Sequence, residues 1–352
     1  MVVVSHYFGS FFFQQKYITT ITGATESGLS ANDFILSRLL AKHFLFINFG
    51  PLGVSLFFLV SGFVIMFSLR KLNTTQFIMQ RLFRIFPTYW VSLIVCFIFT
   101  LFSSWFFSGT SGYYSLGISK VLSNLFLVYD YLGHESIDFV NWTLPIEILF
   151  YFTISLVACR FTSKGNLAAY ISVVSITTLV FLLHCLSLGQ QWHALMSLLF
   201  KIKYLSFMCI GLIFYFHFKS LVSYQFMVLM CFLLCTVFYL LLGLEMGWGE
   251  AIPLFANYIY GLAIFSLMYL FRGKMKENKL MDFMANISYP LYLIHSTIGY
   301  CLIPILINYS FGFYSAATIS LLITVALSFL MHKTIEKKSI FIGKHLTTQP
   351  SP

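Results

Sequence analysis

Runs of about twenty apolar residues recur along almost the whole chain, and a helix of about that length is what it takes to cross the hydrocarbon core of a bilayer. They lie near residues 53–69, 83–107, 144–160, 165–188, 200–218, 222–243, 252–271, 286–308 and 312–332. Composition leaves no other solvent: 59% of residues are hydrophobic and 9% charged, against about 25% charged in a soluble domain. The expected fold class is all-α, a polytopic transmembrane helix bundle in which residues 1–352 form a single integral membrane domain.

A tenth, shorter run opens the chain. Residues 1–13 (MVVVSHYFGSFFF) are apolar and aromatic, but as a helix they reach only about 20 Å, so the first span is expected to lack its beginning. The segment has no basic leader and no small-residue cleavage pattern, which argues against a signal peptide. About ten spans, an even number, put both chain ends on one side. Basic residues gather in every second loop (Arg70, Lys71, Arg81 and Arg84; Arg160 and Lys164; Lys219; Arg272, Lys274, Lys276 and Lys279) and in the tail at 333–352. The alternate loops carry Asp130, Glu135 and Asp138, or Glu245 and Glu250, so the basic loops and both termini are expected to be cytoplasmic. Residues 14–52 read as a polar, flexible external loop.

A net charge of +10 does not indicate nucleic acid, because the basic residues are spread between apolar runs rather than gathered in a stripe. The seven cysteines, Cys96, Cys159, Cys185, Cys209, Cys231, Cys235 and Cys301, all fall inside apolar runs without metal-ligand spacing. They read as buried thiols, with Cys231 and Cys235 sharing one helical face for packing. No metal site is expected, and no P-loop, dinucleotide fingerprint or H-E-x-x-H motif is present.

Ionisable groups inside spans are costly and so mark candidate sites. His6 lies about 10 Å below the external surface on the first run, and Glu147, in NWTLPIEILFYF, lies a few residues into a run entering from the same side. A histidine and a carboxylate at one depth can form a base and the group that orients it. Packing of two satisfied buried groups is an equally good reading. His295, in ISYPLYLIHS, sits near mid-membrane with Tyr289 and Tyr292, which can line a hydrated passage, while Pro290 argues for a structural kink. His184, His193 and His217 fall near span ends and carry no role. Arg81 and Arg84, in MQRLFRIFPTYW, are one turn apart at a cytoplasmic mouth. They suit a phosphate or pyrophosphate, or lipid headgroups.

Several blocks together resemble acyltransferase family 3, membrane enzymes that O-acetylate surface polysaccharides and antibiotics. They are VVVSHYFG (2–9), GVSLFFLVSGFVI (53–65), FIMQRLFRIFPTYWVSL (77–93), NWTLPIEILFYF (141–152), ISYPLYLIHS (287–296) and KTIEKKSIFIGK (333–344). The resemblance implies an essential histidine at His6, an acid at Glu147 and a cytoplasmic arginine pair at Arg81 and Arg84 for an acyl-CoA donor, acetyl-CoA by family default. Ser61, Trp142, Tyr289, Tyr292 and His295 match further positions and are expected to bind substrate. The acceptor it implies is a hydroxyl of an extracytoplasmic glycan or lipid-linked saccharide, in a bacterial inner membrane amid its lipids. The family also carries an arginine about three turns ahead of the histidine, a position that would precede Met1. Thr143 and Pro145 are mild departures from its W-S-L-x-x-E motif. From the spans and intramembrane His and Glu alone, a proton-coupled transporter or flippase for a saccharide or other small molecule is the alternative.

Overall fold

The structure, a computed structural model, describes residues 1–34, 37, 47–69, 71–109, 116–158 and 193–348. It is helical, with no strand among the described residues. A chain dissolved in lipid has no water for its backbone, and helices satisfy every peptide group within themselves. The long helices are α3 (Phe49–Leu69), α4 (Thr74–Phe106), α7 (His193–Phe218), α8 (Tyr224–Met246), α9 (Trp248–Leu270), α10 (Lys279–Asn308) and α11 (Phe313–Thr347). Shorter ones are α1 (Val2–Phe13), α2 (Gln15–Thr22), α5 (Ile118–Leu125) and α6 (Thr143–Ala158). Among the described residues seven helices are long and apolar enough to cross a membrane, and α1 and α6 are apolar but shorter. Nine of the ten apolar runs coincide with helices; the run at 165–188, with Cys159, Cys185, His184, Arg160 and Lys164, lies outside the described residues.

Polar residues mark the ends. Asn73 and Gln76 form a reciprocal capping box at α4, Ser223 caps α8 and Asn278 caps α10, each satisfying amides that the first helical turn leaves free. Within the expected 14–52 loop, residues 15–22 form α2, closed by Gly23 at φ +66°, and Ala31–Asp33 form a capped 3₁₀ turn. A side chain at Gly23 would be strained by that φ and would also meet Ser104 Oγ at 2.3 Å. The expected tail is helical too. It continues α11 to Thr347 and lies along α4, where Gln76 and Gln80 donate to the Thr347 carbonyl and hydroxyl, both at 2.7 Å.

The centre of the bundle is the contact of α3 with α7, with α9 packed against α3 and α8 against α7. Small residues set its closeness: a Cβ on Gly62 would fall 2.1 Å from the Met208 carbonyl oxygen, and one on Gly211 2.2 Å from that of Leu59. Backbone approach of this kind drives helix association in lipid, where apolar side chains gain nothing by leaving the solvent. Outward faces carry Ile94, Ile98 and Phe102 on α4, Leu229 and Phe232 on α8, and Leu267 and Leu270 on α9, all exposed for lipid to cover. Gly62→Val is expected to cost about 3 kcal/mol or more, because the clash is with backbone that cannot repack. Thermal exposure of buried Cys209 to a maleimide in detergent measures it; an unchanged midpoint would mean that the two helices are not in contact.

Helices α6 and α7 run in the same direction, from the end that holds His6 to the end that holds the arginines. At the His6 end two lysines of α7, each 1% exposed, are neutralised across the bundle: Lys201 Nζ lies 3.0 Å from Asp130 Oδ2, and Lys203 Nζ lies 2.5 Å from Glu245 Oε2. Unpaired, either charge would be costly there. The pairs fix the turn at Tyr129–Leu132 and the end of α8 against α7.

Candidate active site

Helix α1 is widened by a π turn over His6–Ser10, a local rearrangement common at functional positions. His6, Ser10 and, beyond the helix, Gln14 face a cavity of about 540 Å³ at that end of the bundle. The start of α3 forms one wall. There Asn48 Oδ1 accepts from the Gly50 N–H at 3.0 Å and the Ser5 hydroxyl at 3.1 Å, while the Asn48 N–H donates to Asn257 Oδ1 at 2.7 Å. A backbone N–H can only donate, so the Asn48 amide is oriented with Oδ1 toward Gly50 and Ser5.

The opposite wall is the segment before α6, which descends into the bundle instead of crossing its rim. The Asp138 carboxylate accepts from the Phe139 N–H at 2.6 Å and from the Thr297 hydroxyl, well inside α10, at 3.1 Å. Burial pushes this carboxyl up to about 7, against the opposing hydrogen bonds from Phe139, Thr297 and Val140. The Tyr292 hydroxyl donates to the Val140 carbonyl at 2.7 Å and meets the Thr143 hydroxyl at 2.8 Å. Trp142 and Tyr292 line the cavity, the Trp142 ring lying 5.5 Å from that of Tyr204.

That descent overturns the expected pairing of His6 with Glu147. Four residues into α6 would be shallow if α6 began at the rim; because it begins inside the bundle, Glu147 is carried down to the arginines. Its carboxylate accepts from the Tyr151 hydroxyl, one turn on, and faces Arg84 and Arg81. His6 meets Tyr300 instead, with Nδ1 2.6 Å from the phenol oxygen, and its ring lies 5.0 Å from that of His295, edge to face. His295 is fully buried behind His6, with Nδ1 2.8 Å from the Tyr292 carbonyl.

The second polar cluster is the arginine pair. Arg81 Nη2 donates to Ser68 Oγ at 2.6 Å, and its guanidinium lies over the Phe77 and Tyr151 rings. Arg84, exposed, faces Tyr151, Glu147, Glu336 and Tyr289. Glu336 belongs to a second π turn, His332–Glu336 in α11, and holds His332 Nδ1 at 2.6 Å. Tyr289 donates to the Ile85 carbonyl at 2.9 Å. Ser61, by contrast, is buried on α3 beside Gly62 and does not line the His6 cavity.

Helix α10 joins the two clusters. Tyr289 stands at the arginines, Tyr292 one turn along at the floor of the cavity, then His295 and Tyr300 beside His6. From Tyr289 to Tyr300 this polar strip rises about 16 Å at 1.5 Å per residue. The profile of an acyltransferase domain matches residues 1–333. The chain belongs to acyltransferase family 3. No curated protein and no solved structure matches it.

The protein is an integral membrane acyltransferase in which α10 links a cluster of arginines and carboxylates at one end to an imidazole in a polar cavity at the other. Sequence reasoning missed Tyr300, Ser10, Asp138 and Glu336. Glu336 lies in the KTIEKKSIFIGK segment, and in sequence Asp138 has only the look of a loop charge. Nothing in the spacing of Ser10 and Tyr300 announced that they converge on His6.

Proposed function

We propose that this protein transfers an acyl group, acetyl in the simplest case, from cytoplasmic acyl-CoA to a hydroxyl of an extracytoplasmic or lipid-linked glycan. The polar strip of α10 carries the reading, because it connects a guanidinium pair to a histidine near the other side of the bundle. Arg81 and Arg84 offer the bidentate donors that CoA phosphates take, and the loops at their end are the basic ones, as cytoplasmic loops are. The pantetheine arm then follows α10 toward His6. Amide and carboxylate groups among aromatic rings (Gln14, Asn48, Glu135, Tyr17, Trp142) suit a polyhydroxylated acceptor.

In direct transfer His6 accepts the acceptor's hydroxyl proton as that oxygen attacks the thioester carbonyl. The new C–O bond replaces the C–S bond, and the imidazolium returns the proton to the departing thiolate. In the two-step route His6 carries the acyl group between donor and acceptor. Rapid quenching and mass analysis of the His6 peptide separate the two.

The test is to supply membranes containing the protein with radiolabelled acetyl-CoA and surface glycan, with His6→Ala as the control. Label entering the glycan only with His6 intact supports the reading. A carrier would show no label transfer and no CoA binding, and that result would overturn it.

A further inference from the structure

We infer that Tyr300 is the positioning residue that selects the working tautomer of His6, standing where a carboxylate usually stands behind a catalytic imidazole; the role rests on the acyltransferase reading of the site. Tyr300 is fully buried, with its hydroxyl 2.6 Å from His6 Nδ1. Its ring is held edge-on by Phe139 at 4.7 Å. The Ser10 side chain, one turn beyond His6 on the same face of α1, also bears on this hydroxyl.

The direction of these bonds decides the chemistry. If the phenol donates to Ser10 Oγ, its oxygen accepts from His6 Nδ1–H, and Nε2 is left bare toward the cavity, where a base is needed. If the phenol donated to Nδ1, Nε2 would carry the hydrogen and could accept nothing from a hydroxyl. The other neighbour of His6 gives no donor. His295 Nδ1 meets two carbonyl oxygens, of Tyr292 at 2.8 Å and Leu291 at 3.1 Å, and carbonyls only accept, so the hydrogen is on Nδ1. Its Nε2 is bare, buried and without a hydrogen-bond partner among the described residues. Among the described residues no carboxylate is hydrogen-bonded to His6, which leaves Tyr300 as the group that orients it. When His6 takes the hydroxyl proton on Nε2, the Nδ1–H bond to Tyr300 steadies the imidazolium, and Tyr300 keeps its own proton throughout.

Tyr300→Phe keeps the ring and removes the hydroxyl, and Ser10→Ala removes the acceptor that turns it. Both are to be made in the full chain, purified in detergent and reconstituted. In Tyr300→Phe, kcat for transfer is expected to fall about tenfold or more with the KM for acyl-CoA unchanged, the size expected when a hydrogen bond to a charged group is lost. A second readout needs no activity: diethyl pyrocarbonate acylates a bare imidazole nitrogen, and modification of His6 is followed by peptide mass, with His6→Ala as the blank. Modification is expected to slow several-fold in both variants. Faster modification in Tyr300→Phe would mean that Tyr300 donates to Nδ1 and would overturn the assignment, as would unchanged kcat together with unchanged modification. No transfer by the wild-type chain, with modification still slowed in the variants, would count against the acyltransferase reading and support the tautomer assignment.

Discussion

Replacing His6 by alanine is expected to lower kcat for acyl transfer by about 10²–10⁴-fold, the range that a positioned acid–base group contributes. The KM for acyl-CoA should change little, because the arginine pair proposed to hold its phosphates is carried by α4, at the other end of the α10 strip. His6→Gln makes the test sharper: it fills the same space and can hydrogen-bond to Tyr300, but it cannot carry a proton or an acyl group. It should be as inactive as alanine. Steady-state kinetics of both variants, with folding checked by detergent size-exclusion profile, decide the matter. A glutamine variant retaining a tenth or more of wild-type kcat would remove His6 from the chemistry.

The arginine pair should give the opposite kinetic pattern. Arg84, an exposed residue, faces Glu147 and Glu336. Arg84→Ala is expected to weaken acyl-CoA binding about 10–150-fold, corresponding to the loss of charge-assisted hydrogen bonds of about 1.5–3 kcal/mol, with kcat largely preserved. Arg84→Lys should recover only part of this, since a point charge lacks the fork. Arg81 is tied to Ser68 and packed on two rings, so Arg81→Ala should reduce stability as well as affinity. Isothermal titration with CoA separates the effects. Unchanged affinity in the double variant would show that the pair serves lipid headgroups rather than the donor.

Much of the architecture was legible because lipid imposes a length and a composition on every crossing segment. The described helices fall where the apolar runs fall, and Arg81 and Arg84 sit together as their spacing required. Depth was not legible where the chain departs from simple crossing. Counting residues into α6 gives the depth of Glu147 only if α6 starts at the rim, and the hydrogen bonds of Asp138 to Thr297 and of Val140 to Tyr292 pull its start inward. The partner of His6 was illegible for a different reason. Tyr300 is one of 21 tyrosines in a chain rich in aromatics, and only the packing of α1 on α10 distinguishes it. The lysines of α7 were passed over as part of an apolar run, because neutralisation by Asp130 and Glu245 is a tertiary event.

The two ends of the α10 strip are built from different kinds of chain. The arginine cluster is made of helix: α4, α6, α10 and α11 each supply a side chain from within a packed turn, so a change there disturbs the bundle. The His6 cavity takes part of its wall from connecting segments, with Gln14 and Asn48 on one side and residues between Glu135 and Trp142 on the other. Such segments tolerate substitution and insertion better than helices do. A lineage of such proteins could therefore redesign what it modifies while leaving its donor machinery alone, and sequence divergence between relatives should concentrate in residues 14–48 and 130–142 before it reaches the helices beneath.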